Sequence, residues 1–239
     1  MIDQTGAQQQ RREASEDMQG FLDRMVHDLR EPLRSINIFA EMLKKGQAES
    51  PDPKSERAVD EILKGAARMR TLLEGISSYT AARYQEDAGE SASLDLAARA
   101  AIDRLGAEIR ACGGKVTAER LPRVGARLEP LIQLFDNLIG NALKFHGEEP
   151  PSVQISARQE ASGEWTVRVQ DDGMGIDLPP AELDSIFAPF ARLNGHKYPG
   201  AGLGLAVSRL IVEQYGGRIW AEPVSNGSAF LFTLPPAEE

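Results

Sequence analysis

Two apolar seams constrain this chain more than any other feature of it. From Met18, apolar residues recur at Leu22, Met25, Leu29, Pro32, Ile36, Phe39 and Leu43, in alternating steps of four and three. Those steps keep one stripe of an α-helix turned toward a partner, as in a coiled coil or a helical bundle. The glycine and prolines of GQAESPDPK, residues 46–54, then stop the helix and turn the chain. A second seam follows in Val59, Ile62, Ala66, Met69, Leu73 and Ile76, again in steps of three and four. Two long helices with a short loop between them form an antiparallel hairpin. A lone hairpin would leave much of its seam wet, so two copies are expected to pair through residues 18–80 into a dimeric four-helix bundle. The alternative is a hairpin packed on a second domain.

Composition narrows what the chain can be. A length of 239 residues leaves room for one or two domains with real cores. At 41% apolar and 26% charged residues it is ordinary for a globular protein, which argues against wholesale disorder. Its 27 lysines and arginines against 36 acidic residues give a net charge of −9 spread along the chain, with no basic footprint for nucleic acid or anionic lipid. No window approaches the roughly 18 apolar residues of a membrane span, and the polar start lacks the apolar core of a signal peptide. The segment is therefore expected to be cytoplasmic and not to insert into a membrane. One cysteine, Cys112, cannot form an intrachain disulfide, and with three scattered histidines it cannot complete a zinc site.

The small, acidic stretch QEDAGESAS, residues 85–93, marks a linker. Before it, residues 1–16 read as a polar tail or connector and residues 17–84 as the helical domain. After it, residues 94–236 carry a mixed pattern. One helix is expected from about Leu96 to Ala111, one from Glu129 to Phe145, and one from Leu203 to Tyr215, stopped by Gly216 and Gly217. VQISA and WTVRVQ alternate as two strands joined by EASGE, and RIWAEP and SAFLFTLP as a second pair joined by VSNG. Helices on one face of a mixed sheet account for this order, so the whole chain is of the α+β class.

Four strings in this second region point to a nucleotide. In LIQLFDNLIGNALKF, Asn137, Asn141 and Lys144 fall at i, i+4 and i+7, one polar stripe beside an apolar one of Leu131, Phe135, Leu138 and Ala142. A carboxamide oxygen suits a magnesium ion already held by phosphates, and a lysine supplies those phosphates with a point charge. WTVRVQ runs into DDGMGI, where Gly173 and Gly175 allow close backbone approach to a flat ligand. Asp171 there presents a carboxylate that accepts from the amino group of adenine and repels the carbonyl of guanine. GAGLGL places Gly200, Gly202 and Gly204 before a helix whose amides and dipole favour phosphate. Between the glycine strings lies IFAPFARLNGHKYP, a candidate lid with Phe187 and Phe190 as packing groups and Arg192 and Lys197 in reach of phosphates. Each string alone is also an ordinary turn or a solvated face. Their order within about 70 residues is what distinguishes them.

On the first helix, taking Leu22 and Leu29 as a positions puts His27 at f, the outermost point of the wheel. A histidine there is open to solvent, with a ring nitrogen able to act as a nucleophile. Asp28 adjoins it and Glu31 lies one turn on. Pro32, in the middle of the seam, removes the amide that would bond the carbonyl of Asp28 and loosens the helix just beyond the histidine. A helix built only for stability would not carry it.

The region 92–235 resembles the ATP-binding catalytic domain of sensor histidine kinases, part of the larger group shared with gyrase, HSP90 and MutL. DNLIGNALKF corresponds to its N box, DDGMGID and GAGLGL to its glycine boxes, and IFAPF to its F box. The resemblance implies magnesium at Asn141, phosphate contact at Lys144, adenine stacking on Phe145 and adenine recognition by Asp171. Asp172 replaces a frequent Asn. HDLREPLR resembles the H box of the dimerization and histidine phosphotransfer domain, in which an acidic residue follows the histidine and a proline comes five positions after it. By this resemblance His27 takes the γ-phosphoryl group of ATP, assisted by Asp28 and Glu31, and passes it to an aspartate on a response regulator receiver domain. Many members have Thr or Asn where Glu31 stands, so the resemblance carries the kinase role and not the phosphatase one. It also implies a sensor domain, upstream or on a separate protein. The competing readings are a non-catalytic dimeric adaptor and, for the second region alone, a gyrase-type ATPase.

Overall fold

A computed structural model describes residues 29, 33, 34, 36–43, 53–84, 91–193, 198 and 201–237. The chain divides into two compact units at Tyr84/Gln85. Among the described residues, no helix is long and apolar enough to cross a membrane.

In the first unit Leu29, Leu33, Arg34 and residues 36–43 are helical (α1), and α2 runs over Pro53–Tyr84. The expected seam of the second helix divides in two, while the first helix buries Leu33 and Ala40, which lie beside its expected seam. Leu33, Ala66 and Leu73 bury one another, with Ile76 packed against them, and Val59 and Ala40 are buried as well. Leu29, Ile36, Phe39, Leu43, Ile62 and Met69 stay exposed. Pro32 lies outside the described residues, and its neighbour Leu33 supplies the buried contact. One face of the pair is thus a core, and the other is a row of large apolar side chains in water.

The second unit is a five-stranded mixed sheet with helices on one face. It contains β1 (Ala92–Ser93), α3 (Leu94–Arg104), α4 (Gly106–Ala111), β2 (Lys115–Ala118), β3 (Arg123–Val124), α5 (Leu128–Lys144), β4 (Ser152–Gln159) and β5 (Trp165–Asp171). A 3-10 helix (Pro180–Phe187), α6 (Gly204–Gln214), β6 (Ile219–Pro223) and β7 (Ser228–Leu234) follow. The sheet order is β2-β4-β5-β7-β6, with β2 parallel to β4 and every other pair antiparallel. β1 and β3 form a separate two-stranded pair.

Period-two alternation sets the faces. Val153 and Ile155 of β4, Val167 and Val169 of β5, and Phe230 and Phe232 of β7 form the buried row against the helices. Phe135 of α5 meets Phe232 edge-on at 6.0 Å between centroids. Each such fully buried side chain stabilises the fold by about 1.5–3 kcal/mol. The other face is polar: Arg168 bonds Glu222 at 2.9 Å, and Trp220 donates to the same carboxylate at 3.0 Å.

The helix expected over residues 96–111 is two. It breaks at Leu105, whose amide bonds back to Ala101 before Gly106 begins α4. Glycine is a poor helix interior residue, and the periodicity of the flanks hides the break. Ser93 caps α3 by accepting from Leu96 at 3.3 Å. β2 and the β1–β3 pair escape a reading based on periodicity because two to four residues are too few to show a period.

Candidate functional site

α5 carries the site along one side. Its apolar stripe, Leu131, Leu134, Phe135, Leu138, Ile139 and Ala142, is buried. Asn137, Asn141 and Lys144 lie on the half-buried side. At its upstream end Asn137 faces the start of α6. A Cβ on Gly204 would sit 3.4 Å from Asn137 Oδ1, and Asn137 Nδ2 donates to Ser208 Oγ at 3.5 Å. Ser208 is fully buried and donates to the Gly204 carbonyl at 2.9 Å. The N box and the second glycine box therefore touch through side chains that only α6 brings into place. Asn141 has no side-chain partner among the described residues, which fits a carboxamide oxygen available to a hard cation.

At the downstream end α5 meets the turn after β5. The Phe145 carbonyl accepts from the Met174 amide at 3.0 Å, and a Cβ on Gly173 would stand 2.6 Å from that oxygen. Only glycine fits there. Asp171 continues the inward row of Val167 and Val169 and is 8% exposed. Its Oδ1 accepts from Gly173 N at 2.8 Å and Ser228 N at 3.3 Å, which leaves Oδ2 for a ligand. Burial pushes the Asp171 carboxyl above its ordinary value, against the pull of those two amides. The Lys144 ammonium lies 4.4 Å over the Phe145 ring, and burial, with the charge of Arg192 second, lowers its pKa. Gly175 and Gly202 adopt positive φ.

The F-box segment forms the 3-10 helix. Phe187 is buried edge-on to Phe230, and Arg209 of α6 lies 4.6 Å over its ring while also pairing with Asp184. Phe190 is the one non-glycine residue among those described with a positive φ, 65°. Its amide donates to the Gly202 carbonyl at 2.8 Å. Phe190 is 55% exposed, so it does not pack beneath a lid as expected. Arg192 is exposed and donates to the Tyr198 carbonyl at 2.6 Å. Lys197, Gly200, His27, Asp28 and Glu31 lie outside the described residues.

Residues 126–238 match the family described as histidine kinase-, DNA gyrase B- and HSP90-like ATPase, and residues 17–83 match the histidine kinase A phospho-acceptor domain. The chain belongs to the histidine kinases. The kinase core is 35% identical over 211 residues to cyanobacterial phytochrome A of Nostoc sp., covering 87% of this chain and 27% of that protein. It thus spans about a quarter of the length of the curated relatives it matches. Full-length ShkA, solved with AMPPNP, shares the fold at a TM-score of 0.69 and 22% identity, over 92% of this chain and 46% of that one. The kinase ThkA, solved with the response regulator TrrA, shares it at 0.61 and 23%, over 98% and 66%.

Three features of the kinase's site escape a sequence reading. Ser228 and Gly227 belong to a turn that looks like a plain hairpin. Yet a Cβ on Gly227, whose φ is 96°, would stand 2.1 Å from the Asp171 carbonyl. Ser208 sits inside a helical pattern with nothing to single it out. Asp172 accepts from Ser152 N at 2.8 Å through Oδ1, a bond that the frequent Asn could make equally well.

Proposed function

We propose that this chain is the catalytic core of a two-component sensor kinase. ATP binds within residues 94–236, its γ-phosphoryl group passes to His27, and His27 passes it to an aspartate on a response regulator receiver domain. The observation that carries the nucleotide half is the meeting of Asn137, Lys144, Phe145, Gly173, Asp171 and Gly204 along one side of α5. ShkA with AMPPNP and ThkA with TrrA, two structures of this fold, support the ligand and the partner. Asn141 would hold magnesium, whose charge would offset that of the phosphates. Lys144, whose ammonium is disfavoured by burial, gains most when a phosphate neutralises it. Phosphoryl transfer asks the protein mainly for in-line placement and charge stabilisation. Residues 85–93 join the two domains, residues 17–84 and 94–236, and a sensor domain upstream or on another protein supplies the signal.

The test of the nucleotide half is calorimetry with ADP and magnesium across pH. Asp171 must be ionised to accept from the adenine amino group, and its carboxyl titrates above the ordinary range. A raised folded pKa contributes stability below the unfolded value, which is lost as pH rises through the folded one. The ionised, ligand-free site is thus the strained form that adenine relieves. ADP affinity should therefore fall as pH drops through that raised range, and Asp171→Asn should flatten the dependence. A flat profile in the unmodified chain would remove Asp171 from adenine recognition.

Residues 18–80 form the homodimer in this reading. Phe39 is 65% exposed and Met69 45%, whereas Leu73 is 6% exposed within the hairpin's own core. Glutamate at both Phe39 and Met69 should dissociate the dimer while leaving the hairpin helical, because two unpaired charges per copy would otherwise be buried. Sedimentation equilibrium with circular dichroism reads both. Glutamate at Leu73 should instead unfold the hairpin. A double variant that stays dimeric would place the interface elsewhere.

A further inference from the structure

Phe145 already has an aromatic partner. The Tyr198 ring meets it at 5.1 Å between centroids and 66° between planes. The Tyr198 hydroxyl donates to Met174 Sδ at 3.4 Å, and its carbonyl accepts from Arg192 Nη2 at 2.6 Å. Phe145 and Met174 are themselves joined by the Met174 amide on the Phe145 carbonyl. One side chain thus bridges the end of the N box and the first glycine box, the two strings on either side of the adenine place. A base held between two rings needs two contact spacings of about 3.5 Å each, and 5.1 Å between centroids does not provide them. On that side of Phe145 the base and Tyr198 exclude one another.

We propose that Tyr198 is an affinity-setting residue of the nucleotide site, one that occupies Phe145 and must yield it when adenine binds. This rests on the reading that Phe145 stacks the base. The aromatic pair is worth what any edge-to-face pair is worth, and a site competent only when it is broken loses affinity by the fraction of time it is made. Removing the side chain also removes the hydroxyl's bond to Met174 Sδ, which Tyr198→Phe removes by itself, whereas the Arg192 bond ends on backbone and stays.

The experiment is calorimetry of ADP with magnesium on the full chain and three variants. Tyr198→Ala should bind ADP about threefold to tenfold more tightly than the unmodified chain, the range set by one such pair. Tyr198→Phe keeps the ring and should stay within about twofold of it. Phe145→Leu should weaken ADP, and adding Tyr198→Ala to it should bring no gain. Unchanged or weaker binding by Tyr198→Ala overturns the proposal, the weaker case making Tyr198 a wall of the site. If that happens while Phe145→Leu loses affinity, the stacking role of Phe145 stands and only the proposal falls. If Phe145→Leu binds as the unmodified chain does, the stacking role itself fails and the proposal falls with it.

Discussion

Alanine at His27 is expected to abolish the acid-labile, base-stable label that the chain takes from γ-labelled ATP, with ADP binding unchanged. A phosphorus–nitrogen bond is cleaved by acid and survives base, while serine and threonine esters behave the other way, so the pattern of lability identifies the acceptor. The described nucleotide residues run from Asn137 to Gly204, all in the second unit, whereas His27 belongs to the first, which is why binding should be indifferent to the change. Asp28→Asn should slow incorporation by about a hundredfold or more without abolishing it. A carboxylate that takes the proton from one ring nitrogen leaves the other nitrogen's lone pair free, and general-base assistance of this kind is worth that much. If Asp28→Asn phosphorylates at the original rate, Glu31 becomes the next candidate. Acid-stable label on the unmodified chain would place the phosphate on a hydroxyl and end the histidine assignment.

The second large effect belongs to Asp171. Asp171→Asn should cost about tenfold to a hundredfold in ATP affinity, the worth of a hydrogen bond to a charged group, and should erase the preference for ATP over GTP. The carboxamide oxygen can still accept from Gly173 and Ser228, so the turn keeps its shape. What changes is the second position, where an NH2 group faces the adenine amino group donor to donor. Gly227→Val tests the same site from behind, without touching its chemistry. With a Cβ only 2.1 Å from the Asp171 carbonyl, the strand end must move, and ATP affinity should fall comparably while the carboxylate remains. Calorimetry with ATP and GTP on both variants reads these outcomes. A Gly227→Val chain that binds ATP normally would show that the turn does not hold Asp171 in place.

Some of this was legible in the letters. The helices α5 and α6 of the second unit and its two hairpins lie within a residue or two of where periodicity puts them, because each buries one stripe in the core and so must carry that stripe in its sequence. Leu105 and Gly106 show where that logic stops: flanks that share a period conceal a break that depends on one backbone amide.

The site divides the same way. Asn137, Asn141 and Lys144 share a helix, so their spacing alone puts them on one side of it. Gly173 follows Asp171 by two residues, so the bond between them is local. Contacts between distant segments have no such signature. Ser208 against Asn137, Gly227 and Ser228 against Asp171, and Tyr198 across Phe145 and Met174 join residues that only the packing of α6, the β6–β7 turn and Tyr198 against α5 and the end of β5 brings within reach. The division of the first unit's seam into a core face and a wet face is of that kind too. Heptad spacing specifies that a stripe is apolar, but which of its residues face the second helix depends on how the two helices cross.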